Sequence, residues 1–474
     1  MRVWGGGEFL TPAERQRIHE AVWRILDETG VVVENDRLLE RLASSGARVA
    51  GSEQRVTFSG AYMDAFLSGS DRADVPPATG RVGGISGVYF GHYLNPDTDE
   101  YEPWDTSRVL RYLKIAHHLE NTTPFLSTIV PLTDVPADVL TPFYHYMTFK
   151  FLGRGACGMD DLRWMPCIVE MCEAAAAETN RPMRQFFSGY VFLISPLKLA
   201  RQEADILEYA AEHALPLSVG HMTSAGGTGP VTLAGAVALH LAEEFVAQIL
   251  HRVCFGTKQL SFGVNVSHID MRTGIFPYGR PERLLAAMAM AAMAQFYGGR
   301  FSPPRSQSDA KRPSAEAGFQ KGMAATAMLM ACGSATVGCG VLSVDEVFSP
   351  IQMIIDNEMV GALKYLARGF EVDEDALAVD VIREVGPGGQ FLDAPHTVEH
   401  FRQAVWEPQI FAREMFSGWR QGGSRIDADY ARDAYHELAG RAPLPARISE
   451  GLERRLLDIV HKHTGRRMAP LQSF

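Results

Sequence analysis

Side chains that can bind a charged organic molecule recur at the ends of short apolar and β-branched runs of this sequence. The candidate site residues are Phe90, His92, Tyr190, His221, Asn265, Arg305 and Asp309. Further polar residues at such ends are His268, Gln307, Asp345 and Glu346. Aromatic faces and carboxylates hold a cationic alkylammonium group and offer little for acid–base catalysis. The residue types favour a pocket for a small cation, although each aromatic ring can equally belong to the core and each histidine can be structural.

The usual motifs of catalysis by the chain's own side chains are missing. There is no His-Glu-x-x-His motif and the histidines share no ligand spacing, so we expect no metal site. No Gly-x-Ser-x-Gly elbow marks a serine nucleophile. The six cysteines never form a Cys-x-x-Cys pair and are expected to be reduced thiols. If the chain is an enzyme, a partner or cofactor supplies the reactive group.

The stretch GHMTSAGGTGPVTLAGA is rich in small residues between a predicted strand and a predicted helix. Gly226, Gly227 and Gly229 indicate a backbone that bends sharply or lies close to something bound. His221 stands where the strand is predicted to end. A binding loop and a purely structural tight turn both remain open.

From about Arg81, β-rich runs alternate with amphipathic helical runs. The eight strand candidates are VGGISGVYF, PFLSTIV, GRGACGM, QFFSGYVFL, LPLSVG, QLSFGVNV, GRFSPP and SATVGCGVL. Helices are predicted to begin near Asp105, Val135, Leu162, Pro196, Pro230, Pro281, Pro313 and Phe348. Eight strand–helix units in roughly 290 residues predict an α/β fold of the (β/α)8 TIM barrel type, whose active site lies at the carboxyl ends of the strands. The alternative, a doubly wound sheet, lacks its Gly-x-Gly-x-x-Gly motif here.

The barrel is predicted to lie between two helical additions. Residues 1–80 are expected to form an N-terminal helical segment, opened by a capping box at Thr11 and Glu14, with a second helix from Asn35. Residues 81–370 are assigned to the barrel and residues 371–474 to a C-terminal helical extension.

The composition is that of a globular protein. The 474 residues are 46% hydrophobic and 21% charged. A net charge of −11 with scattered basic residues argues against a nucleic-acid partner. Neither a signal peptide nor an uninterrupted membrane span is evident, so we predict a cytoplasmic protein without a membrane partner.

Five stretches of the sequence occur in a recognisable order: GHMTSAGGTGPVTLAG, TGIFPYGRPE, SDAK, DNEMV and HTVEHFRQAVWEPQIF. Together with the opening LTPAERQRIHEAVWRILDETGVVV, they resemble stretches of the trimethylamine methyltransferase family. The resemblance covers nearly the whole chain. One departure follows SDAK, where Ser314 and Glu316 replace the aspartate and glutamine-alanine-glycine common in the family. This departure lies beside the predicted pocket, so the substrate is expected to differ from that of studied relatives.

The resemblance implies a methyltransferase that presents a methylated amine to a corrinoid (cobalamin) on a separate, cognate corrinoid protein. The chain has no Asp-x-His-x-x-Gly corrinoid motif of its own, so no cofactor is expected to bind the chain itself. Archaeal trimethylamine enzymes of the family contain pyrrolysine, whereas all 474 residues here are standard. This implies a quaternary, betaine-like substrate such as glycine betaine.

For such a substrate, we expect Phe90 and Tyr190 to face the cation, and Arg305, Asn265 and His221 to hold the carboxylate. The glycines at 226, 227 and 229 would face the corrin ring. Self-association is also expected, from aromatic residues of the C-terminal extension: Phe401, Trp406, Phe411, Phe416 and Trp419. Two other hypotheses remain, a catalytically silent betaine-binding protein and a demethylase that works without a corrinoid.

Overall fold

The computed structural model describes residues 9–73, 80–87, 91–158 and 161–472. The N-terminal elements are α1 (Pro12–Arg24), β1 (Val31–Val33), α2 (Asp36–Ser44), β2 (Arg48–Ala50), β3 (Arg55–Thr57) and α3 (Gly60–Ser68). The central elements are β4 (Arg81–Ser86), β5 (His92–Leu94), β6 (Tyr101–Pro103), α4 (Thr106–His118), β7 (Thr122–Pro124), α5 (Leu140–Leu152), β8 (Cys157–Gly158), α6 (Met165–Thr179), β9 (Ser188–Leu193), β10 (Lys198–Leu199), α7 (Arg201–Glu212), β11 (Ser218–His221), β12 (Thr223–Ala225), α8 (Leu233–Phe255), β13 (Ser261–Phe262), β14 (Val266–His268), α9 (Pro281–Tyr297), β15 (Arg300–Phe301), β16 (Arg305–Ser306), α10 (Ala315–Cys332), β17 (Ser334–Cys339), β18 (Val341–Leu342), β19 (Val347–Phe348) and α11 (Pro350–Arg368). The C-terminal helices are α12 (Glu374–Leu377), α13 (Val379–Val385), α14 (Pro395–Ala404), α15 (Phe416–Gln421), α16 (Asp427–Gly440) and α17 (Glu450–Thr464).

The N-terminal segment contains both helices and strands. The capping box of α1 is confirmed: Glu14 N donates to Thr11 Oγ1 at 3.3 Å, and Thr11 N donates to Glu14 Oε2 at 2.9 Å. The two predicted helices are present as α1 and α2. The segment also contains β1, β2 and β3, which the sequence did not predict and which form an antiparallel sheet whose other edge pairs with β10 of the central region. This pairing anchors the N-terminal segment to the rest of the chain.

Parallel strand pairs make up the centre of the fold. One sheet has the order β16, β17, β4 and β7, and a second has the order β11, β9 and β8. Two further parallel pairs join β12 to β14 and β13 to β15. The fifth and sixth predicted strands overlap β11 and β13, which pair with β9 and β15. It is the segments directly after them, β12 and β14, that are parallel neighbours, with Thr223 opposite Val266. The chain has an α/β fold of parallel sheets and helices.

Most predicted helix starts lie close to an observed helix, but the start at Pro196 is wrong. Helix α7 begins at Arg201. The preceding residues Lys198 and Leu199 form β10 and pair with Val32 and Val33. Local proline chemistry indicated a helix there, but pairing with a distant strand determined the structure.

Among the described helices, only α8 is long and apolar enough to cross a bilayer by length and composition. In the folded chain, 78% of the apolar 18-residue segment of α8 is buried. That burial is typical of a central core helix. Within the described part of the chain, none of the six cysteines forms a disulfide bond.

A buried ion pair joins α10 to α11 behind the parallel sheet. Lys321 Nζ lies 2.5 Å from Asp356 Oδ2, and both side chains are 0% exposed. The same carboxylate accepts hydrogen bonds from Gly340 N at 2.8 Å and from Gln352 Nε2 at 2.8 Å. Lys321 also donates to the carbonyl oxygen of Gly338 at 2.9 Å. Every charge in this pair is therefore satisfied without water.

We expect Asp356→Asn to lower the free energy of unfolding by about 3–5 kcal/mol, because it leaves the buried Lys321 ammonium without a countercharge. Asp380→Asn is the matched control, since it removes the partner of Arg383 where the two side chains are 78% and 73% exposed. An exposed pair contributes only about 0–1 kcal/mol. Denaturant unfolding of both variants measures the difference, and equal effects would contradict the role of burial.

Candidate functional site

Asp309 joins two loops at the carboxyl ends of the parallel strands. It follows β16, and its carboxylate accepts hydrogen bonds from Tyr278 N at 2.6 Å and Gly279 N at 2.9 Å. Tyr278 and Gly279 belong to the loop between β14 and α9. Two backbone donors on one carboxylate fix this loop relative to the next strand.

The first turns of α10 support Asp309 from behind. Gln320 Oε1 accepts hydrogen bonds from Ser308 Oγ at 2.8 Å and from Asp309 N at 2.9 Å. Gln320 Nε2 in turn donates to Glu316 Oε1 at 3.2 Å. Ser314 caps α10 by accepting from Ala317 N at 3.3 Å. In this chain, Ser314 and Glu316 thus build the scaffold of the site.

Arg283, on the first turn of α9, is a buried guanidinium at this site. Its side chain lies over the Tyr278 ring at 4.5 Å from the centroid. Its Nη1 donates to Asn265 Oδ1 at 3.0 Å. Burial lowers the pKa of Arg283, although nearby acidic groups, among them Asp345 and Asp309, oppose that shift. The guanidinium is a partly desolvated positive charge beside an aromatic ring.

Asp345 supplies the negative charge of the site. It lies in the turn between β18 and β19, where Ser343, Val344 and Asp345 have φ angles of 50°, 56° and 73°. Non-glycine residues in this region are strained and cluster at functional sites. Gln307 Nε2 donates to Asp345 Oδ1. Burial raises the pKa of Asp345, against the opposing effects of a Tyr278 hydrogen bond and of the nearby arginines.

Aromatic rings complete the arrangement. The Arg305 guanidinium lies over the Phe125 ring at 4.8 Å. On β9, the rings of Tyr190 and Phe192 meet edge to face at 5.5 Å. Both are only half-buried and alternate with buried core residues of the same strand. Successive side chains of a strand point to opposite faces, so this ring pair lies on the face away from that core.

The arrangement suits a zwitterion. A half-buried carboxylate, Asp345, lies near two guanidinium groups, those of Arg283 and Arg305. Tyr278 contacts both Asp345 and Arg283. A ligand with a cationic end and an anionic end can match both signs of charge. None of these side chains is a thiol, a serine hydroxyl or a lysine amine, so the set can bind and orient a ligand but brings no nucleophile.

The structure brings several predicted residues together, namely Asn265, Arg305 and Asp309. Asn265 and Asp309 hold Arg283 and Tyr278, so their contacts are with the chain itself. Direct binding of substrate by these residues and by Tyr190 stays a prediction. Tyr278, Arg283 and Phe125 were missed by sequence reasoning. The sequence offers little evidence that these three residues belong to a site, although Tyr278 lies within the quoted stretch TGIFPYGRPE.

The other predicted residues lie elsewhere or cannot be located. Phe90 lies outside the described residues. His92 begins β5 with an exposed side chain, and its N–H donates to the carbonyl oxygen of Glu346 at 2.8 Å. His221 is buried against α8, where both ring nitrogens face carboxylates of Glu243 and Glu244. Burial lowers the pKa of His221, but the two carboxylates outweigh it and raise it to about 9.

The glycine-rich turn closes on its own backbone. The N–H groups of Gly227, Thr228 and Gly229 all donate to the carbonyl oxygen of Ser224, at 2.9–3.0 Å. Gly226 has φ +85°, and a Cβ there would lie 2.6 Å from Met271 Cε. The positive φ therefore accounts for Gly226, because Met271 is 71% exposed and its side chain can move. Contact of this turn with a corrin ring stays a prediction.

A cavity of about 620 Å³ lies at the opposite, amino-terminal end of β7. Two of its charged lining groups are paired within the chain. Lys364 Nζ donates to Asn121 Oδ1 at 2.7 Å, and Glu358 Oε1 accepts from Gln409 N at 2.5 Å. Ligands of α/β folds bind at the carboxyl ends of the parallel strands, so the strand-end cluster is the better candidate despite the size of this cavity.

Comparisons with known proteins give a consistent result. Residues 5–466 match the family described as trimethylamine methyltransferase (MTTB). Trimethylamine methyltransferase MttB of Desulfitobacterium hafniense (strain DSM 10664 / DCB-2) is 25% identical over 457 residues, 93% of this chain and 91% of that protein. Glycine betaine methyltransferase of D. hafniense (strain Y51) is 27% identical over 431 residues, 86% of this chain and 88% of that protein. The crystal structure of Methanosarcina barkeri monomethylamine methyltransferase (MtmB) aligns at 12% identity with a TM-score of 0.44, covering 94% of this chain and 92% of that one.

We expect the affinity for a quaternary ammonium ligand to fall as the pH is lowered from neutrality. Protonation of Asp345 removes its negative charge, and because burial raises its pKa, the loss begins at a higher pH than for an ordinary aspartate. Calorimetric titrations over a pH series measure the effect. Asp345→Asn should bind weakly and lose this dependence, whereas Asp161→Asn, at a 49% exposed side chain after β8, should keep the parent profile. An unchanged profile in Asp345→Asn would remove Asp345 from the site.

Proposed function

We propose, because the chain belongs to the trimethylamine methyltransferase family, that it transfers a methyl group from a small, betaine-like quaternary amine to the corrinoid of a separate protein. Relatives over most of the chain's length carry the names trimethylamine methyltransferase and glycine betaine methyltransferase. The observation that carries the choice of substrate is the nearness of Asp345 to Arg283 and Arg305 at the strand ends. Trimethylamine itself has no carboxylate for an arginine to bind.

The residues at the site indicate that this chain binds and orients the substrate and that the partner protein supplies the nucleophile. Cobalt(I) of the partner's corrinoid supplies the nucleophile when that protein is docked. When the methyl C–N bond of a quaternary amine breaks, its electron pair stays on nitrogen, which leaves as a neutral tertiary amine. The chain therefore needs no proton donor. Asp345 and the aromatic rings hold the cation, and the guanidinium groups orient the substrate through its carboxylate.

Exposed apolar side chains around the strand ends support docking of a partner there. Met222, Val231, Met271 and Ile275 follow β11, β12 and β14 and are 40%, 60%, 71% and 37% exposed. Apolar groups gathered on one face are typical of protein interaction sites. The glycine-rich turn lies among them, since Gly226 contacts Met271. We assign this face to the corrinoid protein.

We also propose that the parallel sheets belong to one closed (β/α)8 barrel. The pairings support it because they follow chain order from β4 through β7, β8, β9 and β11, and because β17 returns to β4. An isolated parallel bridge between Ser127 and Cys157 links the segment after β7 to β8, which would be the second and third strands of the barrel. In such a barrel the cluster around Tyr278 lies at the mouth, where substrates bind.

The remaining expectations from the sequence are part of this proposal. They are a cytoplasmic location, the three-part division of the chain, no cofactor bound by the chain itself, and self-association. Phe401 and Phe416 support self-association, since they are 56% and 70% exposed. A silent betaine-binding protein and a corrinoid-independent demethylase remain the alternatives.

Methyl transfer is tested with a panel of N-methylated compounds and reduced cobalamin, by the formation of methylcobalamin. We expect a carboxylate-bearing quaternary amine to react best. Arg305→Gln should cost about 1.5–3 kcal/mol in kcat/KM for that compound, the range of hydrogen bonds to charged groups, and little for a quaternary amine without a carboxylate. Arg272→Gln, at an exposed arginine after β14, is the control. Betaine binding without methylcobalamin would favour the silent binding protein, and methyl transfer to a folate alone would favour the demethylase.

Tyr190→Ala tests the cation side. We expect weaker binding of the quaternary amine by roughly 0.5–2 kcal/mol, on the scale of a cation–π contact, with little change in melting temperature. Tyr209→Ala is the control, because Tyr209 is also half-buried but lies on α7, where its ring stacks on His213 in the turn that follows the helix. A loss of stability of several kcal/mol in Tyr190→Ala with unchanged affinity would make Tyr190 a core residue.

A further inference from the structure

Two histidines and a glutamate converge between the parallel strands and α8. Asn265 connects this group to the cluster around Tyr278, since its N–H donates to His240 Nε2 and its Oδ1 accepts from Arg283 Nη1. His221 ends β11, whereas His240 and Glu244 lie one turn apart on α8. One ligand atom from each of the three lies within 4.8 Å of the other two. The side chains of His221 and Glu244 are only 2% and 14% exposed, and His240 is 1% exposed. This set is already placed to enclose a small cation.

A second glutamate, Glu243, contacts the His221 ring directly and the His240 ring through Thr223. Its Oε2 lies 3.4 Å from His221 Nδ1. It also accepts the Thr223 hydroxyl at 3.0 Å, and Thr223 Oγ1 lies 2.9 Å from His240 Nδ1. Since the only hydroxyl proton of Thr223 goes to Glu243, Thr223 accepts its other hydrogen bond from His240 Nδ1–H. Glu243 thus orients one imidazole directly and the other through Thr223.

This orientation leaves His240 Nε2 without a proton. His221 Nε2 lies 3.4 Å from Glu244 Oε1. The lone pair on His240 Nε2 accepts the Asn265 N–H at 3.2 Å, so a metal ion at this atom would replace that hydrogen bond. Metal-bound histidines characteristically donate the other ring N–H to a carboxylate or hydroxyl, which sets the tautomer. The outer contacts seen here are of that kind.

The negative charge of the two glutamates also favours a bound cation. The buried carboxylate of Glu243 and the 14% exposed carboxylate of Glu244 face two imidazoles. The Ser195 hydroxyl and the Leu197 N–H that bind Glu243 are neutral. A neutral imidazole does not compensate a buried carboxylate. A single proton on His221, shared between the two glutamates, would balance only one of them. A divalent ion would balance both.

We propose that His221 Nε2, His240 Nε2 and Glu244 Oε1 bind one Zn²⁺ ion, with Glu243 and Thr223 as the groups that orient the histidines. Two imidazoles and one carboxylate are a known zinc ligand set. The ion would be structural. It would tie β11 to α8, and through the Glu244 contact with Gly263 N at 3.0 Å it would reach the segment before β14.

A second cluster serves as an internal control. Asp375, His396 and His400 also place ligand atoms within 4.8 Å of one another, but they lie at the surface of the C-terminal helices. His400 Nε2 lies 3.2 Å from Asp375 Oδ2, where the two side chains are 38% and 74% exposed. Zinc taken up there during purification must be separated from zinc in the buried site.

Metal analysis by mass spectrometry of the full-length protein, grown with added zinc and dialysed, is the test. We expect about one zinc ion per chain in the parent and in the His396→Ala, His400→Ala double variant. Glu244→Gln should retain less than about a tenth of that amount, because it loses a ligand. Zinc that remains in Glu244→Gln but is lost in the double variant would overturn the proposal, as would a parent that binds none.

A measurement on the parent alone keeps the proposal open to refutation if Glu244→Gln does not fold. Prolonged treatment with a chelator should lower the melting temperature, and added Zn²⁺ should restore it, because an ion that binds only the folded chain stabilises it. Co²⁺ in place of Zn²⁺ should show the visible absorption of a low-coordinate site. An unchanged melting temperature after complete removal of zinc would mean that a proton on His221 is enough to hold the cluster together.

Discussion

Two backbone N–H groups aimed at the carboxylate of Asp309 hold the candidate site together. They keep Tyr278 beside β16, and the Tyr278 ring in turn lies under the Arg283 guanidinium and donates to Asp345. Charge-assisted bonds to backbone amides are strong and directional. Because Tyr278 contacts both charged partners, their separation depends on where Asp309 places this loop.

The quoted family stretches turn out to be rich in such internal contacts. In DNEMV, Asp356 neutralises the buried Lys321, and Glu358 accepts N–H groups of Gln409 and Ile410 in another of the stretches. In SDAK, Ser308 and Asp309 are bound by Gln320. These polar residues satisfy buried backbone and charged groups. Much of the family resemblance therefore reflects the scaffold, and the chemistry depends on the few groups that the scaffold leaves facing the strand ends.

Charge is handled differently in the two polar clusters of the molecule. Around Tyr278, one carboxylate and two guanidinium groups lie beside aromatic rings, which suits a ligand that carries both signs of charge. Around His221, two carboxylates meet two imidazoles with little exposure, which suits a small cation held permanently. We propose that the first cluster binds and releases a substrate and that the second reinforces the fold.

The sequence by itself determined the alternation of strands and helices, the capping box of α1 and the parallel pairing of neighbouring units, because these follow from local periodicity and capping chemistry. It also pointed to Asn265, Arg305, Asp309 and Asp345 as residues at strand ends. It could not say which of them face a ligand, since that depends on partners distant in the chain. Only the tertiary structure turned Asn265 and Asp309 toward Arg283 and Tyr278, buried His221 against Glu243 and Glu244, and made Lys198 and Leu199 a strand where a helix was predicted. In each case a contact across many residues of sequence outweighed the local pattern, and such contacts leave no spacing that a single sequence reveals.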